Sequence, residues 1–265
     1  ARLQTLVGGV AVGIDLGDDH ASGCFVEIEG LARFGRERGQ SQSHGVAGGD
    51  RTWRRIGRVG CHFVIRAVAD IGFNTLLIGV SDGVEFASHP ELKRKYSAPM
   101  KDLAELAEHA HGRGLAIVPK LNFSKSPTNA HDFWSRAPGE KWHEHFDDDY
   151  YFQRGFEVID EIIAACQPER YFHIGMDEDH ERSIEQYIAA ILRLRAGLKK
   201  RGLRTVCWSD SGLTYASGMV HRERSIAAEQ VLPRDCVRLL WNYSGVPEQA
   251  IKTIANRGYE LWGAP

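Results

Sequence analysis

Four absences narrow the sequence before any motif is read. The five cysteines, Cys24, Cys61, Cys166, Cys207 and Cys236, include no C-x-x-C pair. Odd in number and widely spaced, they argue against a disulfide framework and a zinc ribbon, and are expected as small buried apolar residues. No apolar run approaches the roughly 18 residues that suggest a membrane span. "LVGGVAVGIDL" near the start is too short for one and lacks a cleavable signal pattern. Strong charge of either sign is missing too, since the formal net charge of −2 gives no pull toward nucleic acid or acidic lipid. Finally, no G-x-G-x-x-G opens a helix, which removes the usual signature of a doubly wound nucleotide-binding sheet. The chain begins at Ala1, so a cytoplasmic protein and an exported one with its leader removed both stay open.

What is present suits one soluble domain over residues 1–265, with 43% hydrophobic and 26% charged residues. One rhythm recurs: an amphipathic helix, a glycine, then a short apolar strand. Gly72 precedes "FNTLLIGV", Gly114 "LAIVPKLNF", Gly202 "LRTVCW" and Gly258 "YELW". A glycine just past the last helical turn is a stop signal, because it accepts the left-handed conformation there. Leu103, Leu106, Ala107 and Ala110 share one helix face. So do Phe152, Phe156, Ile159, Ile163 and Cys166, and then Ile184, Tyr187, Ile188, Ile191 and Leu194. The strands "NTLLIGV", "LAIVP", "YFHIGM", "RTVCW" and "VRLLW" carry continuous rather than alternating apolar runs, as in a parallel sheet covered by helices. Repeated β–α units of this kind mean an α/β fold.

The strand ends select the barrel form. Asp82, Asn122, Asp177 with Glu178, Asp210, and Asn242 with Tyr243 each lie just past the C-terminal end of an expected strand. Polar residues at that rim of many strands are the layout of a (β/α)8 active-site face. With "GVAVGIDL" as the first strand, "YELW" is the seventh and no eighth β/α unit is evident. The barrel is incomplete on this count, unless "CFVEI" supplies the missing strand. Residues 30–60 break the pattern, with many glycines and arginines and only Glu37 and Asp50 as acids. They read as an irregular insertion, without the interleaved aromatics of a nucleic-acid contact.

The richest chemistry lies in "YFHIGMDEDH", Tyr171 to His180. Asp177 or Asp179 could cap a helix beginning near Arg182. The cluster could also join "WHEHFDDD", with His143 and His145, around a metal, although no zinc-ligand spacing is matched and the run precedes a helix start. Thirdly, Asp177 and Glu178 could do proton chemistry. Neighbours on a strand face opposite ways, but both reach a pocket where the strand ends. One carboxyl can then act as general acid while its ionised neighbour stabilises charge, which is what glycosidic cleavage needs.

"HIGMDED" resembles the H-x-G-G-D-E strand of family 20 glycoside hydrolases, the β-N-acetylhexosaminidases. "IGFNTLLIGVSD" and "HGRGLAIVPKLNFSKSPTNAH" are similar to the family's second and third strands, and "TVCWSD" and "VRLLWNY" to its fifth and sixth, from about Ala67 onward. The resemblance implies retaining, substrate-assisted removal of β-linked N-acetylhexosamine, with no cofactor, no metal, and a carbohydrate as the partner. Glu178 would be the acid/base and Asp177 the support for the sugar's 2-acetamido group. Trp208 and Trp241 would wall the pocket, or else be plain barrel core. Asp82 and His131 would contact sugar hydroxyls or support Glu178, and Asp210 and Tyr243 complete the expected substrate-binding rim.

The chain departs from the family at Met176, where a glycine is usual, and at Lys120 and Asn122, where Glu and Asp are usual. Met176 is expected to narrow the space beside the acids. Two other readings stand. In one, a retaining glycosidase uses a carboxylate nucleophile, for which Glu260 is the candidate. In the other, the chain is a non-catalytic carbohydrate-binding barrel with Asp177 and Glu178 as structural caps.

Overall fold

The computed structural model describes residues 10–15, 24–29, 61–95, 97–125, 133–135, 145–215, 218–242 and 245–264. The expected irregular segment 30–60, His131 and Tyr243 lie outside them.

The strands are β1 (Val10–Asp15), β2 (Cys24–Glu29), β3 (Thr75–Gly79), β6 (Ala116–Lys120), β7 (Tyr171–His173), β8 (Arg204–Ser209), β9 (Val237–Trp241) and β10 (Leu261–Ala264). A small side sheet of β4 (Val84–Glu85) and β5 (Ala98–Pro99) follows β3. The helices are α1 (61–70), α2 (Met100–His111), α3 (Asp149–Cys166), α4 (Ile184–Lys200), α5 (Met219–Val231) and α6 (Glu248–Asn256).

The eight long strands close into a ring in the order β1-β10-β9-β8-β7-β6-β3-β2. From β2 round to β10 every pairing is parallel, whereas β1 runs antiparallel to both β2 and β10. "CFVEI" is therefore the first strand of the parallel series. "GVAVGIDL" fills the eighth place as a reversed strand, so among the described residues the fold is an α/β barrel closed by an antiparallel strand. The strand carrying "YFH" is the fourth of the series, as expected.

Side chains alternate between two apolar layers. Leu77, Val118, Val206, Leu239, Trp208, Trp241 and Trp262 fill the barrel interior. Leu76, Ile78, Ile117, Phe172, Cys207 and Leu240 face the helices. Every residue of β9 is buried, Arg238 included, which is why that strand shows no alternation of apolar and polar residues. The four stop glycines, Gly72, Gly114, Gly202 and Gly258, all adopt positive φ.

Helix α2 buries the expected Leu103, Leu106, Ala107 and Ala110. In α3 the buried face is turned toward Tyr151, Gly155, Val158 and Ile162. The turn follows an aromatic cluster, since Phe123, Trp134, Phe146 and Phe152 all surround Tyr151. Ile184, expected on the buried stripe of α4, is exposed, and Gly197 and Leu198 extend the stripe instead. Gly197 lies against Phe156, where a Cβ would come within 2.1 Å of the ring.

The N-terminal end of the interior is sealed by polar contacts. Arg204 and Tyr171, each the first residue of its strand, donate to Glu260 at 2.5 and 3.0 Å, and the Trp262 indole joins them at 3.2 Å. Glu260 is thus at the opposite end of the barrel from the residues that follow β7. This position removes it as a nucleophile. Cys61, Cys166, Cys207 and Cys236 are free and buried, and burial pushes the Cys166 thiol up to about 12. Cys207 departs from the expected apolar role, since its sulfur accepts from the buried Arg238 guanidinium at 2.6 Å.

Candidate active site

Strand β7 stops at His173, earlier than the apolar run suggests. Ile174 N–H still donates to Val206 O and Gly175 O accepts from Trp208 N–H, so the backbone leaves the sheet only past Gly175. Gly175, Met176 and Glu178 all adopt left-handed φ, at +71°, +76° and +46°. Such conformations cost non-glycine residues about 1–2 kcal/mol each and persist where surrounding contacts impose them. They break the strand's alternation, so that both Asp177 and Glu178 are half-buried while Met176 is fully buried. Met176 packs with the residues facing the helices and its carbonyl accepts from Tyr187 Oη at 2.8 Å. It does not narrow the space beside the acids, because the positive φ sends its side chain to the outer layer.

Gly175 makes this exit possible. A Cβ there would lie 2.0 Å from Asn122 Oδ1. Asn122, just past β6, donates from Nδ2 to Asp177 Oδ1 at 2.7 Å. Its own Oδ1 accepts from the Met176 N–H at 3.1 Å and the Ser124 N–H at 2.9 Å, which fixes the amide's orientation. The Trp134 indole donates to the Asn122 carbonyl at 2.6 Å. Asp177 is therefore clamped by a neutral donor.

Glu178 is held separately. Its N–H donates to Asp210 Oδ2 at 2.9 Å, and its Oε1 accepts from Tyr215 Oη at 3.0 Å. Asp210 is buried at the end of β8, where its Oδ1 accepts from the Trp241 indole at 2.7 Å. Burial first, and then the charge of Asp177, push the Asp210 carboxyl up to about 7 against the bonds from Glu178 N–H and Trp241. Two adjacent carboxylates, each fixed by different partners, thus share one barrel rim with a third carboxyl beneath them.

With this geometry in hand, the chain can be set beside known proteins. No protein-family model matches it, and no curated protein matches it in sequence. Solved structures do. The β-N-acetylhexosaminidase of Bacteroides fragilis NCTC 9343 superposes with a TM-score of 0.56 at 17% identity, over 77% of this chain and 46% of that one. The family 20 β-N-acetylhexosaminidase of Streptomyces coelicolor A3(2) gives 0.56 at 19% identity, over 77% and 44%. The family 20 exo-β-N-acetylglucosaminidase of Vibrio harveyi, solved with N-acetylglucosamine, gives 0.54 at 15%, over 89% and 40%. This is the fold of the family 20 hexosaminidases. The chain spans less than half the length of each of these three relatives.

On the family 20 fold the remaining expected residues fall into two groups. Trp208, on the strand next to β7, and Trp241, one strand further round, lie in the barrel interior, with Trp208 edge-to-face against His173 at 5.0 Å. His173 is fully buried and its Nδ1 accepts from Gly175 N–H at 2.8 Å, while burial and the charges of Lys120 and Arg238 hold it neutral. Lys120 is also buried, with its ammonium 5.2 Å from the Trp208 ring. Asp82, just past β3, lies 3.7 Å from Arg94 Nε.

Asp179 and the "FDDD" run are structural. Asp179 Oδ1 accepts from Arg182 N–H at 2.9 Å, and its Oδ2 accepts from Arg182 Nη1 at 2.6 Å and Lys125 N–H at 2.8 Å. The cap of α4 is neither Asp177 nor Asp179 but Ser183, which forms a capping box with Gln186. Asp148 caps α3 through Tyr151 N–H, Asp147 pairs with Arg182 at 2.9 Å, and Asp149 with Arg193 at 2.6 Å. Among the described residues no group of three His, Cys, Asp or Glu could hold a metal ion. Arg182 and Asp179 are both 1% exposed. Arg182→Met, which leaves that carboxylate buried without its cation, is expected to cost about 3–5 kcal/mol, read as a fall in the urea midpoint.

Tyr215, Ser124 and Trp134 contribute to the site without a sequence signal. Tyr215 lies in "SGLTYASG", which has neither period nor motif.

Proposed function

We propose that this chain is a retaining, substrate-assisted glycoside hydrolase acting on β-linked N-acetylhexosamine. The single observation that carries the reading is the separate anchoring of two consecutive carboxylates: Asp177 by Asn122, Glu178 by Tyr215 and Asp210. Separate anchors let adjacent acids take different roles, one moving a proton and the other staying ionised.

In this mechanism the acetamido oxygen attacks the anomeric carbon as the glycosidic bond breaks, giving an oxazolinium ion. Glu178 gives its proton to the departing oxygen and then takes one from the attacking water. Asp177, kept in place by the Asn122 amide, accepts the acetamido N–H and balances the positive charge that develops on the ring. Trp208 and Trp241 offer flat apolar faces beside these groups, suited to a sugar ring and an N-acetyl methyl. His131, Asp82 and Tyr243 remain proposed contacts to sugar hydroxyls. The likeness in fold to enzymes named as β-N-acetylhexosaminidases supports the substrate class.

A thiazoline mimic of the oxazolinium ion tests the proposal. Competitive inhibition of aryl N-acetyl-β-glucosaminide hydrolysis, binding at least about 10²-fold more tightly than the substrate as a transition-state mimic does, is the expected result. Hydrolysis indifferent to the mimic would point to a carboxylate nucleophile instead.

A further inference from the structure

We infer that Asp210 is a positioning residue that ties the acid-bearing loop to the aromatic wall, so that Glu178 and Trp241 are held as one unit. The inference rests on the reading of Glu178 as the acid. Asp210 bridges two strands: Oδ2 takes the N–H of Glu178 after β7, and Oδ1 takes the indole N–H of Trp241 at the end of β9. Its own N–H donates to Ser225 Oγ on α5 at 3.0 Å, which fixes the bridge from behind. The residue it holds is the one with φ of +46°, a conformation that relaxes unless something restrains it. At 1% exposure the carboxyl reaches no bulk solvent, so it is misplaced for direct sugar contact and well placed for support. The substrate-binding role expected for Asp210 is thus replaced by one acting through its neighbours.

The groups facing Asp210 are Asp177 and Glu178 from the β7 end, Cys207 on β8, and the Tyr187 hydroxyl on α4. From β9 come Trp241 and, behind Cys207, the buried Arg238 guanidinium. From α5 come Ser225 and Glu229, which accepts from the neighbouring Ser209. Burial and the charge of Asp177 outweigh the bonds from Glu178 N–H and Trp241, and the carboxyl takes up a proton near pH 7. Protonation weakens the acceptor strength of the oxygen that carries it, so the bridge loosens as the pH falls through that point.

The test has a spectroscopic arm and a kinetic arm. In wild type the Trp241 indole N–H resonance, assigned by its loss in Trp241→Phe, is expected to titrate with a midpoint near 7. In Asp210→Asn that titration is expected to vanish, because the carboxamide carries no titrating proton. Asp210→Asn also sets an NH2 group against one of two N–H donors. Its kcat on an aryl N-acetyl-β-glucosaminide is expected to fall by roughly 10²-fold with KM little changed, the cost of a misplaced catalytic group. An indole resonance that does not titrate, or titrates alike in both proteins, would overturn the inference. So would Asp210→Asn with wild-type kcat. A wild-type chain without hydrolytic activity would count against the reading of Glu178, while the indole titration would still decide the role of Asp210.

Discussion

Glu178→Gln is expected to lower kcat/KM on an aryl N-acetyl-β-glucosaminide with a poor leaving group by about 10²–10⁴-fold, the usual worth of general acid–base catalysis. The change keeps the shape of the side chain and an acceptor for Tyr215 Oη, which donates to Oε1 at 3.0 Å in the native protein. What it removes is the proton. The loss should therefore depend on the leaving group: large for a sluggish phenol, small for a dinitrophenol that departs without protonation. A panel of aryl substrates measures this as a steeper dependence of log kcat/KM on leaving-group acidity. Equal losses across the panel would mean that Glu178 supports the site without donating a proton. Full activity in the variant would leave the two carboxylates as structural features.

Asp177→Asn is expected to cost about 10²–10³-fold in kcat, as for removal of one preorganised electrostatic contact at a developing charge. Here the loss should be nearly the same for every leaving group, because in the proposed mechanism Asp177 acts on the sugar ring and not on the departing oxygen. Geometry adds to the effect. Asn122 Nδ2 lies 2.7 Å from Asp177 Oδ1, and its amide cannot turn over without setting Nδ2 against the N–H groups of Met176 and Ser124. A carboxamide at Asp177 must then present its oxygen to Asn122 and its NH2 group to the substrate, which needs an acceptor there. The two variants are told apart by slope: unchanged for Asp177→Asn, steeper for Glu178→Gln.

Much of the barrel was legible in the sequence because its signals are local. Helix-stopping glycines and buried parallel strands each leave a mark within a dozen residues, and the acids at strand ends follow directly. The direction of β1 was not legible, since an apolar strand looks the same whichever way it runs. The role of Met176 was hidden for a related reason: a substitution for glycine suggests bulk in the pocket, but the left-handed backbone turns that bulk outward. Contacts between distant loops left no trace either. Asn122 to Asp177 and Asp210 to Glu178 span 55 and 32 residues, and Tyr215 to Glu178 spans 37. Asp210 shows the consequence. Its place past a strand end suggested a sugar contact, whereas its burial suits a bridge between two other site residues.

The central claim is that the sugar's own acetamido group is the nucleophile, steered by Asp177 and released by Glu178. Comparing aryl N-acetyl-β-glucosaminide with aryl β-glucoside, which carries a 2-hydroxyl in place of the acetamide, tests it most directly. Hydrolysis of the first with the β-anomer as initial product, and no measurable turnover of the second, is the expected result. Comparable turnover of both substrates would contradict it.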